Sequence, residues 1–181
     1  RQKTPVRIVG RRRLCGRRPS VDTREPDIPI QAHLSDRDFT LYLDTTGEPL
    51  FKRGYRQSTG DAPLRENLAA GLLGLAHWTP AIPLLDPMCG GGTILIEAAR
   101  IALAIPPGLG RDFAFEKFKN FDPRRWRVLL KQSGDGQKPK TPLEIYGSDI
   151  SAHTVKAARA NLAAAGLDGV LITDLTPEEA G

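Results

Sequence analysis

Residues 84–99, LLDPMCGGGTILIEAA, set an aspartate at the end of a short apolar run, three glycines just beyond it, and an apolar helical run after those. Strand, glycine turn and helix in that order open a parallel βαβ unit, which commits the chain to an α/β fold with a ligand at the carboxyl ends of its strands. A second strand, LEIYGSD (143–149), ends on Asp149, and a helix from Ala152 to Ala165 follows with Gly166 as its C′ residue. Glycine lets the backbone approach a ligand closely and adopt positive φ. The helix that begins at Thr93 and runs to about Ala104 turns unpaired N–H groups toward an anionic group.

The rest of the chain is organised around that unit. In residues 27–44, Ile30, Ala32 and Leu34 alternate with polar positions, as do Phe39, Leu41 and Leu43, about the turn Ser35-Asp36-Arg37-Asp38. This reads as a hairpin with one buried face, too small to stand alone. Residues 45–49 are a linker. Asp61 is the expected N-cap of a helix with Pro63 in its first turn and a stripe of Leu64, Leu68, Leu72 and Leu75. Residues 107–142 read as an insertion with an aromatic local core (Phe113, Phe115, Phe118, Phe121), a short helix over 123–131 and a Gly/Lys/Pro-rich loop.

Charge is concentrated at one end. Residues 1–20 carry eight basic groups, among them Arg11, Arg12 and Arg13, and no acidic one, so the remainder sums to −3 within a net charge of +5. Such a patch attracts polyanions by releasing their counterions, and a solvated basic arm has the same composition. No apolar run reaches the roughly 18 residues of a membrane helix, and no apolar segment follows the basic start as in a secretory signal. Cys15 and Cys89 fit a reducing cytoplasm and are too few for a disulfide framework or a four-ligand zinc site. His33, His77 and His153 share no metal spacing, so no metal is expected.

The acids decide which ligand suits the loop. Gly90 and Gly92 supply G-x-G, but Leu95 stands where a dinucleotide fingerprint needs its third glycine. Asp149 at the second strand tip can accept hydrogen bonds from ribose hydroxyls of either NAD or S-adenosylmethionine. Asp86, four residues before Gly90, would repel a pyrophosphate and suits a cationic amino-acid moiety. S-adenosylmethionine is therefore the expected cofactor, and an NAD-dependent oxidoreductase is disfavoured.

DPMCGGGTILIEAA resembles motif I of the amino-group methyltransferases that carry an N-terminal THUMP RNA-binding domain. LDTTGEPLFKRGYRQSTGDAPLRENLAAGLL resembles the segment that joins THUMP to catalytic domain in that family, and the resemblance runs from about Pro19 to Gly169. Most similar are the bacterial enzymes that make N2-methylguanosine in large-subunit ribosomal RNA. The resemblance implies a Rossmann-like class I methyltransferase fold over 47–181, preceded by the end of a THUMP domain in 1–46. It carries cofactor binding onto Asp86, Pro87, Met88, Cys89, Gly90, Gly92, Thr93 and Asp149, with Gln57 and Pro63 beside the methionyl end. Large-subunit ribosomal RNA is the implied partner. Arg53, Tyr55 and Arg56, a basic and aromatic mix, join Arg11, Arg12 and Arg13 as expected RNA contacts, with packing of Tyr55 as the alternative.

The family's Asn-Pro-Pro-Tyr motif, which follows the fourth strand, is absent. Val170–Thr173 reads as that strand, Asp174-Leu175 follows, and no third strand fits before it. The expectation is of segments joined near 169/170 and 173/174, with the catalytic residues unassigned. Cys89 reads as a cofactor-loop residue and not as a nucleophile. A DNA adenine-amine methyltransferase and a non-catalytic RNA-binding protein remain the alternatives. The sequence sets no oligomeric state.

Overall fold

The computed structural model describes residue 22, residues 24–57 and 63–167, and the backbone of 171–172. It divides into two compact units, one of residues up to Glu48 with Asp112–Phe121, the other of Pro49–Arg111 with the residues from Asp122 onward.

In the first unit, β1 (Ile30–Leu34) and β2 (Phe39–Leu43) pair antiparallel, with Ile30 opposite Leu43, Ala32 opposite Leu41 and Leu34 opposite Phe39. Ser35 N–H donates to the Asp38 carbonyl at 2.9 Å and closes the turn. The strands lie where the alternation puts them, but the buried face does not form: Leu34 is 75% exposed and Phe39 54%. A two-stranded ribbon has no second layer of its own to cover an apolar face. The turn after β2 is tied to a short 3₁₀ helix, Ala114–Lys117, by Phe115 N–H donating to the Thr45 carbonyl at 3.0 Å. Around it Phe113 stacks on Phe115 with ring centroids 5.2 Å apart, and Phe121 lies 6.0 Å from Phe115. These rings are a local cluster, as the sequence suggests.

The second unit is built on a parallel sheet, β3 (Leu84–Asp86), β4 (Ile145–Gly147) and β5 (Leu171–Ile172), in the order β3-β4-β5. This corrects the reading of 170–173 as a fourth strand. In a doubly wound sheet the third strand lies outside the second, whereas the fourth lies beside the first. Leu171 pairs with Tyr146 of β4, so β5 occupies the third position. The site expected for the catalytic motif, just after Thr173, lies outside the described residues, as do residues 168–170 and 173–181.

Among the described residues four helices accompany the sheet: α1 (Glu66–Leu75), α2 (Thr93–Ala102), α3 (Pro123–Asp135) and α4 (Ala152–Ala164). Asp122 caps α3 through the N–H groups of Arg124 and Arg125, and Ser151 caps α4 through that of Thr154. The start of α1 differs from expectation. Asp61 lies outside the described residues, Arg65 occupies the N-cap position without a side-chain bond, and Pro63 precedes the helix. Its leucine stripe also faces outward: Leu68, Leu72 and Leu75 are exposed, while Glu66, Ala69 and Leu73 are buried. The small Ala69 allows close packing against α2, and Glu66 is buried because it is paired.

Helix α2 is the centre of the unit, with Leu95, Ile96, Ala98 and Ala99 fully buried. It lies over one sheet face. A Cβ on Gly147 would collide with Leu95 and stand 3.2 Å from Cys89 Cβ, so a side chain at this strand position would have to push aside a fully buried leucine. Val155, Ala158 and Leu162 of α4 complete the core. The opposite sheet face, with Leu85 and Tyr146 side by side, is open.

Candidate functional site

The site forms where β3 and β4 end side by side. Asp86 and Gly147 are register partners, and the chain then turns into the glycine loop on one side and into Ser148-Asp149 on the other. Two backbone bonds lock these exits together: Cys89 N–H donates to the Ser148 carbonyl at 2.9 Å and Ser148 N–H to the Asp86 carbonyl at 3.0 Å.

Gly90 and Gly92 both have positive φ, +53° and +79°, for different reasons. A Cβ on Gly92 would press on Ala158 of α4 at 3.2 Å, so this glycine serves helix packing. A Cβ on Gly90 would meet nothing within 4 Å. The space beside Gly90 is open, which is what a ligand approaching the backbone requires.

Several of the loop's N–H groups are taken by bonds within the protein. Gly90 donates to Asp149 Oδ2 at 3.0 Å and Gly92 to the Cys89 carbonyl at 2.8 Å, in addition to the Cys89 bond. Asp149 also accepts the Ser151 N–H on Oδ1 at 3.0 Å, so each oxygen keeps a lone pair for a further donor. Asp86 accepts the Met88 N–H at 3.2 Å. Burial pushes the Asp86 carboxyl above the usual carboxylate range; the Met88 bond opposes this and the negative charge of Asp149 adds to it. A loop that faces two carboxylates, with the Gly90 N–H already given to one of them, is a poor cradle for a pyrophosphate and a good one for a cation.

Of the loop residues named from sequence, Pro87 and Met88 are exposed at the rim, and Thr93 is buried at the start of α2. The Cys89 thiol is buried, and burial, helped by the charges of Asp86 and Asp149, pushes its pKa up to about 12. It is therefore a protonated packing group at neutral pH.

The segment 53–57 runs beside the loop, and the side chains of Arg53, Tyr55 and Arg56 are held by partners within the protein. Tyr55 is 3% exposed, with its hydroxyl donating to Glu97 Oε1 at 3.4 Å, so its ring offers no stacking face. Arg53 pairs with Glu97 Oε2 at 3.4 Å and donates to the Leu50 carbonyl at 2.8 Å. Arg56 pairs with Glu66 at 3.2 Å, donates to the Leu64 carbonyl at 2.8 Å and reaches Thr93 Oγ1 at 3.2 Å. Buried Glu66 and Glu97 draw these arginines inward, because an unpaired buried carboxylate is costly. Arg11, Arg12 and Arg13 lie outside the described residues. Beside Arg56 and Glu66 a cavity of about 430 Å³ is lined by Phe51, Lys52, Gly54, Pro63, Leu64 and Arg65.

Sequence reasoning missed Asn161. It is 1% exposed; its amide donates to the Gly91 carbonyl at 2.9 Å and accepts the Gln57 N–H at 2.8 Å. Gln57 is thereby fixed against the glycine loop by its backbone. A lone amide in the alanine-rich run AARANLAAAG was the available signal, since buried amides need partners.

Residues 53–174 match the RMKL-like methyltransferase domain, and residues 7–44 match the THUMP domain. The chain belongs to the RMKL-like methyltransferase family. Similar curated proteins include the ribosomal RNA large subunit methyltransferases K/L of Desulfotalea psychrophila, 44% identical over 88% of this chain and 23% of that protein, and of Chromohalobacter salexigens, 43% identical over 91% and 24%. The chain thus spans about a quarter of the length of these relatives. Among solved structures, SMU.472, a protein complexed with SAH, superposes with a TM-score of 0.76 at 37% identity over 82% of this chain and 39% of that one. The crystal structure described as a predicted N6-adenine-specific DNA methylase from Listeria monocytogenes gives 0.75 at 38% identity over 81% and 39%. The second unit of this RMKL-like chain has the class I methyltransferase fold, in which β3, the glycine loop, α2 and β4 are the opening βαβ unit.

Proposed function

We propose that this chain is the cofactor-binding part of an S-adenosylmethionine-dependent methyltransferase that modifies an exocyclic amine of a nucleobase, guanine N2 of large-subunit ribosomal RNA. The carrying observation is the acidic glycine loop. Asp86, half-buried and already repelled by Asp149, gains most from a cation, and the Gly90 N–H is already given to a carboxylate. Asp149 would accept the ribose hydroxyls with its spare lone pairs, and Asp86 would face the methionyl ammonium. Pro87, Met88, Cys89, Gly90, Gly92 and Thr93 would form the loop around the cofactor, with Gln57 and Pro63 at its methionyl end. The similar protein SMU.472 is described as complexed with SAH, which supports the same ligand here.

The cofactor supplies an electrophilic methyl group when bound. This chain's part is to bind and orient: the two acids fix both ends of the ligand, and the open space at Gly90 lets it lie against the backbone. The ribosomal substrate rests on the names of the K/L relatives, on the THUMP match and on the basic residues 1–20, which include Arg11, Arg12 and Arg13. Such a substrate implies a cytoplasmic enzyme.

Calorimetry with S-adenosylhomocysteine tests the cofactor, with saturable binding expected and absence of heat fatal to the reading. Nucleoside analysis after methyl transfer by the full-length protein tests the target. It should yield 2-methylguanosine from ribosomal RNA, and N6-methyladenine in duplex DNA would replace this substrate with the adenine one.

A further inference from the structure

The two sides of the candidate site are far apart in sequence, and one buried side chain joins them. Asn161 Nδ2 donates to the Gly91 carbonyl at 2.9 Å, and its Oδ1 accepts the Gln57 N–H at 2.8 Å. Nothing else in the described residues bonds to both the glycine loop and Gln57. The Gly91 carbonyl belongs to the peptide whose N–H, on Gly92, donates to the Cys89 carbonyl, so holding that carbonyl fixes the plane of a peptide within the positive-φ glycine turn. Arg56, next to Gln57, makes a parallel tie to Thr93 at the first residue of α2.

We infer that Asn161 is a positioning residue for the cofactor loop: it touches no ligand itself, and it sets the glycine turn and the 56–57 backbone in the one arrangement that leaves the space at Gly90 open. The geometry favours an amide over other side chains. The position demands one donor and one acceptor about an amide's width apart, and no room is left, since a Cβ on Gly91 would lie 3.4 Å from Asn161 Nδ2. The turn's glycines can adopt many backbone conformations, so the arrangement depends on the bonds that hold it, and preorganisation of such a turn is lost when its supporting bond is lost. The ligand part of this inference rests on the cofactor reading above.

The test uses Asn161→Ala, which removes both bonds, and Asn161→Asp, which keeps the acceptor for Gln57 and sets a carboxylate against the Gly91 carbonyl. Leu162→Val, a small cavity in the same turn of α4 touching neither bond, is the control for loss of stability alone. Titration with S-adenosylhomocysteine and amide exchange at Gln57 and Gly92 are the readouts. Both Asn161 variants should bind at least tenfold more weakly than the control. Gln57 exchange should rise in Asn161→Ala and stay slow in Asn161→Asp, a split that general destabilisation would not produce. Affinities within twofold of Leu162→Val would overturn the positioning role. If the unaltered protein binds no S-adenosylhomocysteine, the cofactor reading fails by itself, and unchanged exchange in Asn161→Ala would then sink the tether separately.

Discussion

The carboxylate of Asp149 accepts the backbone N–H of Gly90 at 3.0 Å, although 59 residues separate them. The acid at the second strand tip therefore holds the loop that follows the first strand, besides facing the space beside it. Replacing Asp149 with alanine should both loosen the loop and remove the anchor for a ribose. Asparagine at 149 has a single acceptor oxygen, so it can keep the Gly90 bond only by giving up the Ser151 bond along with the charge. The expected order of S-adenosylhomocysteine affinity by calorimetry is wild type, then Asp149→Asn, then Asp149→Ala. Equal affinity of the two variants would show that the Gly90 bond contributes nothing to binding.

The two positive-φ glycines should respond differently to alanine. Gly92→Ala adds backbone strain of about 1–2 kcal/mol and forces Ala158 aside, so the melting temperature should fall markedly. Gly90→Ala carries a similar backbone cost but meets no neighbour, so the fold should persist. Its methyl group enters the ligand's space, and binding should be lost. Thermal unfolding with and without S-adenosylhomocysteine separates these two outcomes.

This contrast marks how far the sequence could be read. The βαβ opening, the hairpin strands and the aromatic cluster were legible because period and glycine placement are local signals. The outward leucines of α1 were not, since helical spacing alone cannot say which of two apolar stripes a neighbour will cover. Leu68 and Leu72 lost to Ala69 and Leu73 because α2 packs closely over a small residue. Arg53, Tyr55 and Arg56 read as a nucleic-acid mix because their partners, Glu66 and Glu97, lie 10 to 44 positions away. The strand at 171–172 was misplaced because topological order depends on pairing, which no local pattern records.

Asp86 predicts a trade between stability and binding. Its carboxyl is pushed up in the folded protein, so ionised Asp86 opposes folding. With the unfolded value at about 3.9, this cost appears as pH rises past that value and is complete above the raised folded value. Asp86→Asn can still accept the Met88 N–H and should melt higher than wild type near neutral pH without ligand. The gap should close as pH falls below the unfolded value. Binding of the cationic ligand should move the opposite way, weaker in the variant at neutral pH, and weakening in wild type as pH falls through the raised value. Melting curves and titrations across pH check both signs.

The thiol at Cys89 should be inert. Its pKa is pushed up to about 12 and the side chain is buried, so the thiolate that reacts with alkylating reagents is scarce and shielded. In a Cys15→Ser background it is the chain's one thiol. Iodoacetamide at neutral pH should leave the folded protein unlabelled and modify it after denaturation. Rapid labelling of folded protein would reopen Cys89 as a nucleophile.

Tyr55 gives the sharpest separation of a packing role from an RNA role. Its hydroxyl donates to Glu97, whose other oxygen receives Arg53, and burial is the largest cause of the upward shift of its phenol pKa, reinforced by Glu97 and Glu66. Tyr55→Phe keeps the ring and removes one donor from a buried carboxylate, a change worth about 1–2 kcal/mol. Glu97 then keeps Arg53 as its hydrogen-bond donor among the described residues, with the nearby charge of Arg100, so Arg53→Gln in the same background should cost more than it does singly. RNA affinity, measured at fixed salt on the full-length protein, should be unchanged by Tyr55→Phe and also by Tyr55→Leu once the remaining folded fraction is taken into account. A ring that stacked on a base would lose about 1–3 kcal/mol of binding in Tyr55→Leu, with a melting temperature no lower than that of Tyr55→Phe. That pattern would mean the segment 53–57 opens to meet RNA, and the buried pairs of Arg53 and Arg56 would have to break with it.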